Sequence, residues 1–251
     1  RPLSLAGRAV VRTESGVKSV LLNIDRDLCI IPSLAIHMTR GMADHKLNPQ
    51  VDLLPLLGGE NADYNALIAE EAGVKKEDVI SSDMFLYPRQ HGVVFGMENE
   101  FIASPRLDDL QCAYASLCAF ISACGEGMTA ASVPVYCLFD NEEVGSQTKQ
   151  GAASTFLSDV LERVSAAAGL DPAGHRSHIA NSFLVSCDNA HAVHPNHPEF
   201  ADRNHSVYMN RGIVIKYNAN QRYTSDAVSA ALFRLVCEAA DVAVQYYANR
   251  A

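Results

Sequence analysis

The chain has no run of about eighteen apolar residues, so it offers no conventional membrane-spanning helix. It has no basic excess either. Lys and Arg total 20 against 29 Asp and Glu, a formal charge of −9 with histidine neutral. That balance removes the electrostatic footprint expected of a nucleic-acid binder. The seven cysteines contain no tight pair of the zinc-ribbon kind. Most stand inside apolar runs, the setting of reduced, packed thiols in a cytoplasmic protein rather than of a disulfide framework. Internal repeats and low-complexity segments are absent, and the opening Arg1-Pro2-Leu3-Ser4 has no signal-peptide layout, reading instead as the interior of a longer chain. What is present is ordinary for a folded protein: 48% hydrophobic and 20% charged residues over 251 positions, room for one large domain or two modest ones.

Two textures follow one another. Residues 1–87 are strand-rich: Ala9 to Arg12 and Val17 to Ile24 flank Thr13-Glu14-Ser15-Gly16, which predicts a hairpin with a glycine-containing turn. Asp63 to Ala72 predicts a helix ended by Gly73. Residues 88–251 alternate between strand and helix patterns. Phe101-Ile102-Ala103 leads into an amphipathic helix with Leu107, Leu110, Tyr114, Leu117, Cys118 and Ile121 on one face. Val133–Phe139, Phe183–Cys187 and Gly212–Tyr217 read as buried strands. Between and after them come a helix over 147–168 closed by Gly169, and a long one capped by Thr224 or Ser225 and running through Val242. The expected fold is α/β, with helices packed on a largely parallel central sheet.

Acids cluster where those strands end. Val133–Phe139 runs into Asp140-Asn141-Glu142-Glu143-Val144-Gly145-Ser146. Phe183–Cys187 runs into Asp188-Asn189-Ala190-His191-Ala192-Val193-His194-Pro195-Asn196, and a third segment supplies Arg106-Leu107-Asp108-Asp109-Leu110. Ligands of open α/β sheets collect beyond the carboxyl ends of the strands. Acids delivered there with histidines nearby can hold divalent metals, and in the pair Glu142-Glu143 one carboxylate can bind metal while the other acts as general base on a water. Taken singly, each acidic segment reads as a solvated loop or a helix N-terminal charge. Cys187, beside Asp188, has no activating neighbour and reads as a packed thiol.

In combination these segments resemble the aspartyl aminopeptidase family of dinuclear zinc peptidases. The likeness rests on Asp-Asn-Glu-Glu-Val-Gly-Ser, on Asp-x-x-His-x-x-His-Pro-Asn, on Arg211 to Thr224, and on Leu34-Ala35-Ile36-His37, in that family's order and over the whole chain. The resemblance implies that Asp108 bridges two zinc ions, that Glu143 and Asp188 are terminal ligands, and that Glu142 is the general base. It implies that His191 and His194 line the substrate site. It further implies that residues 1–87 form a β-rich dimerisation domain whose His37 reaches a partner's active site, within a homodimer or a higher homo-oligomer. The domain over residues 88–251 then removes N-terminal, acidic residues from peptides. Lys216 and Arg222 are the candidates for an acidic side chain or the peptide backbone. The family's first metal ligands, in a His-x-Asp motif, and its last, a late histidine, have no counterpart in these 251 residues.

Plainer readings stand beside these. His191 and His194 can cap strand-end carbonyls, His37 in its apolar run suits a structural histidine, and Lys216 and Arg222 suit solvated strand-end charges. At the level of the whole chain, a deacylase or other dinuclear metallohydrolase on the same scaffold, or a non-catalytic assembly module, remains open.

Overall fold

Strand pairing accounts for the first half of the chain. In the computed structural model, which describes residues 1–40, 46–125 and 132–248, two compact units are present, Arg1–Pro105 and Arg106–Ala251. In the first unit, β1 (Leu3–Thr13) and β2 (Gly16–Cys29) form the expected antiparallel hairpin, with Thr13 opposite Gly16. Gly16 takes φ +125°, a conformation that suits a residue without Cβ. The alternation of β1 sends Ala9 and Val11 to one face, where they bury with Leu22 of β2. Two one-turn helices follow, α1 (Ile36–Thr39) and α2 (Pro49–Asp52).

The predicted helix is α3 (Tyr64–Ala72). The Asp63 carboxylate caps it by accepting from the Ala66 N–H at 3.0 Å, and Gly73 ends it at φ +67°. Ile68, fully buried, presses α3 onto the Ala9–Val11–Leu22 face. β3 (Val79–Tyr87) then pairs with the free edge of β1, giving the sheet order β2-β1-β3. A short hairpin of β4 (Val93–Phe95) and β5 (Phe101–Ala103) completes this unit.

The second unit opens with α4 (Leu107–Gly125), whose first residues depart from helical geometry at Asp108 (φ −86°, ψ 109°) and Asp109 (φ −118°, ψ 21°). α5 (Phe156–Ala167) starts nine residues later than the sequence pattern placed it, because 147–155 are spent in turns. α6 (Pro172–Ala180) is capped by Asp171. β6 (Ile213–Tyr217) occupies the third predicted strand. α7 (Ala227–Ala239) is capped not by Thr224 or Ser225 but by Asp226, which accepts from the Ser229 N–H while the Ser229 hydroxyl accepts from the Asp226 N–H. That reciprocal pair satisfies two helix-end donors together, which neither predicted residue does here. The helix stops at Ala239, and the chain returns as β7 (Val244–Ala248), parallel to β6. β6, α7 and β7 thus make one strand–helix–strand unit, the connection that parallel strands require.

Val133–Phe139 and Phe183–Cys187 differ from expectation. Neither is paired as a strand among the described residues, and Val133, Val135, Leu138, Phe183, Leu184 and Val185 are exposed rather than buried. An extended segment becomes a strand only when a neighbour takes its backbone N–H and C=O groups. Here the tie is made by a side chain: the Tyr136 hydroxyl donates to the Ala113 carbonyl of α4 at 2.8 Å. No helix among the described residues is long and apolar enough to cross a membrane.

Candidate metal centre

Three loops of the second unit deliver acids to one place. The first is the irregular start of α4, where the Asp108–Asp109 peptide is cis and both residues lie off the helical path. The second is the 140–153 loop, which is closed by its own backbone. Asp140 N–H donates to Gln150 O at 3.0 Å, Gly145 N–H to Asn141 O at 2.8 Å, and Ala153 N–H to Ser146 O at 2.9 Å. Its tightest approach is at Gly151, where a Cβ would sit 2.2 Å from Ser146 O, so only glycine fits. This frame holds Glu142 and Glu143 outward. The third loop follows Cys187 and carries Asp188 to His191.

Asp108, Glu142, Glu143, Asp188, His191 and Lys216 line one open cleft of about 200 Å³, together with Asn189, Tyr223 and Tyr247. Three other predicted residues, His194, His37 and Arg222, are not among those lining it. The Nδ1 of His194 accepts the Asn196 N–H at 3.2 Å, and its ring lies 5.3 Å from that of His197. His37 belongs to the first unit, on α1, where it is exposed rather than packed as a structural histidine.

The electrostatics of the cleft are strained by like charge. Carboxylate oxygens of Asp108, Asp109 and Asp188 all lie within 4.8 Å of one another. Partial burial, and then the charge and hydrogen bond of Asp188, push the Asp108 carboxyl above its ordinary range, with Asp109 and Glu143 adding to the effect. Asp109 Oδ1 is buried without a hydrogen-bond partner, a costly position for a carboxylate oxygen unless a cation or a donor faces it. Among the described residues the only ammonium lining the cleft is Lys216, with a side chain 14% exposed. It donates to Asp188 Oδ2 and to the Asn189 carbonyl, both at 2.5 Å, and lies 5.5 Å from the Tyr223 ring centroid. Lys216 therefore meets an acid of the chain itself.

This donor set suits a hard or borderline divalent cation. Oxygens bound at about 2.1 Å lie no more than about 4.2 Å apart, so the three aspartates are within a small side-chain rotation of coordination. Two thiols close to the aspartates are kept protonated and so poorly nucleophilic. Burial raises Cys112 to about 12, with Asp109 adding to it, and burial followed by Asp109 raises Cys187 as well.

Sequence reasoning passed over Asp109, Asn189, Tyr223 and Tyr247. Asp109 was legible as the second acid of the Asp108-Asp109 pair. The other three carry no signal beyond their neighbours, and only the fold brings them to the cleft.

Comparison with known proteins finds relatives along the whole chain. The family model described as aminopeptidase I zinc metalloprotease (M18) matches residues 1–251. The probable M18 family aminopeptidase 2 of Clostridium acetobutylicum is 45% identical over 260 residues, covering 100% of this chain and 59% of its own length. Its namesake in Clostridium novyi is 43% identical with the same coverage. Among solved structures, the one described as a complex of Ape4 and Nbr1 superposes with TM-score 0.86 at 33% identity, over 100% of this chain and 52% of its own. The S. cerevisiae mApe1 dodecamer does so with TM-score 0.80 at 28% identity, over 99% and 58%. The chain spans about three-fifths of the length of these curated relatives, 59% of each. A match of the family model from the first residue to the last places the chain in the M18 family of aminopeptidase I zinc metalloproteases.

Proposed function

We propose that the full-length protein is a zinc aminopeptidase that hydrolyses the N-terminal peptide bond of acidic-ended peptides with two zinc ions per subunit. The observation that carries this reading is the convergence of Asp108, Asp109 and Asp188 within 4.8 Å, on a cleft shared with Glu142 and Glu143. Asp108, Glu143 and Asp188 would hold the metals. Zinc, when bound, supplies a Lewis acid and brings the pKa of water towards roughly 7. Glu142 takes one proton from the attacking water as its oxygen bonds to the scissile carbonyl carbon, and returns that proton to the nitrogen as the C–N bond breaks. His191 borders the substrate in the cleft. His194, three residues further on, serves the same substrate from outside the cleft lining. Lys216 supports the acidic preference as the one ammonium lining the cleft.

The same reading covers the fold and the assembly. Val133–Phe139 and Phe183–Cys187, apolar and exposed, are strands of a largely parallel sheet with β6 and β7 in the complete protein. The strand-rich region over 1–87 is the dimerisation domain and 88–251 the peptidase domain, in a homodimer from which a larger homo-oligomer is built. Support comes from exposed Leu21, Phe85 and Leu34 in the first unit and from a solved relative that is a dodecamer. The seven unpaired cysteines support a cytoplasmic location.

The test is to measure zinc content and turnover in the full-length protein, with Asp-, Glu- and Leu-peptides against N-acylated amino acids. Zinc-dependent release of free N-terminal Asp or Glu supports the proposal. Cleavage of N-acyl substrates alone overturns it in favour of a deacylase, and a zinc-free, inactive full-length protein overturns it in favour of an assembly module.

A further inference from the structure

Asp188 stands at the end of Phe183–Cys187, and the side chain that follows it ties this end of the segment to α4, the helix that carries Asp108. Asn189 Oδ1 accepts the Cys112 thiol at 2.8 Å, while Asn189 Nδ2 donates to the Leu107 carbonyl at 3.3 Å and to Gln111 Oε1 at 3.4 Å. These three partners span the turn of α4 that carries Asp108 and Asp109. On the other side, Lys216 from β6 grips the same dipeptide through Asp188 Oδ2 and the Asn189 carbonyl. Asp188 is therefore held between α4 and β6, with the Asn189 amide supplying the uncharged bonds on the α4 side, beside the contact between the Asp188 and Asp108 carboxyls.

We infer that Asn189 is a positioning residue of the metal centre, setting the separation of Asp188 from Asp108 and Asp109. The inference rests on the metallopeptidase reading above. Partners that orient metal ligands without touching the metal contribute to affinity by holding the ligand geometry in advance. Asn189 is the informative member of the grip because it is neutral. Removing Lys216 would change both geometry and charge beside a cation, two effects of opposite sign, whereas removing the Asn189 amide changes geometry alone.

The test uses the full-length protein with zinc as the probe, its affinity read by competition with a chromogenic chelator. Asn189→Ala should weaken zinc binding roughly tenfold or more, and excess zinc should restore much of kcat. Tyr136→Phe cuts a different tie to α4, one that does not reach Asp188, and should leave zinc affinity unchanged. Asn189→Ala with wild-type zinc affinity and only a lower Tm would overturn the inference while leaving the metallopeptidase reading intact. If Asn189→Ala does not fold, Cys112 decides. Zinc affinity lost in Cys112→Ala but kept in Cys112→Ser, which retains a donor, supports the inference, and equal affinity in the two overturns it. A wild-type protein that binds no zinc sinks the metallopeptidase reading, and this inference with it.

Discussion

Glu142 and Glu143 are neighbours in sequence and share one cleft, yet their substitution should have separable consequences. The 140–153 loop is held by backbone hydrogen bonds that use neither side chain, so exchanging a carboxylate for an amide of the same shape leaves the loop in place. Glu143 is among the charges that raise the Asp108 carboxyl, which puts it electrically close to the aspartate cluster. General-base catalysis contributes about 10²–10⁴-fold, so Glu142→Gln in the full-length protein should cut kcat by that factor, about 3–5 kcal/mol of barrier. Its zinc content should stay at the wild-type level. Glu143→Gln removes a ligand oxygen, and its zinc affinity should fall by at least roughly the 10–100-fold lost when a ligand's supporting partner is removed. Zinc content by elemental analysis after dialysis, alongside kcat on an aminoacyl chromogenic substrate, separates the outcomes. Equal zinc loss in both variants, or more than a tenth of wild-type kcat in a zinc-replete Glu142→Gln protein, would refute the assignment.

Exposed His37 on α1 predicts a trans contribution: His37→Ala should lower turnover at unchanged zinc content, and co-expression with Glu142→Gln should restore part of it through mixed dimers. A fully active monomer would refute this. Ile68, fully buried against Ala9, Val11 and Leu22, should cost about 3 kcal/mol on truncation to Ala, counting three lost carbons and the cavity left behind. A denaturant midpoint within error of wild type would contradict that packing. Stripping zinc with a chelator should lower Tm, because zinc at about a thousand times its Kd stabilises the folded state by about 4 kcal/mol. A Tm insensitive to chelator and to added zinc would count against a site in the cleft.

Local patterns were legible where local physics decides the outcome. The β1–β2 hairpin and α3 follow from alternation, a glycine at the turn, and the Asp63 and Gly73 caps, all written within a few residues of where they act. The capping residue of α7 was misread because Thr224, Ser225 and Asp226 are all competent caps. Only the reciprocal Ser229 bond distinguishes Asp226, and Ser229 is three positions into the helix. The helix was also drawn too long, since Val242 to Ala248 is apolar enough to extend it. β7 becomes a strand only because β6 offers a parallel edge. Val133–Phe139 and Phe183–Cys187 show the same dependence from the other side. An apolar run states a preference for burial, and its partners determine whether that preference is met. The acids were legible because chemistry restricts their residue types. Asn189 was not, because its contribution lies in three contacts to residues 77 to 82 positions away.

Five carboxylates, those of Asp108, Asp109, Glu142, Glu143 and Asp188, face one ammonium, that of Lys216, in or beside this cleft. Fully ionised, they leave four uncompensated negative charges. Two such charges at 4 Å repel by about 4 kcal/mol even at an effective dielectric constant of 20. Such repulsion is relieved where acids hold protons or meet cations, and solvent screens what remains between exposed carboxylates. The raised Asp108 carboxyl is the first response, and the Lys216–Asp188 pair is an instance of the second. Neither reaches Asp109 Oδ1, which is buried and without a partner. Two divalent ions would bring the five acids and one lysine to neutrality.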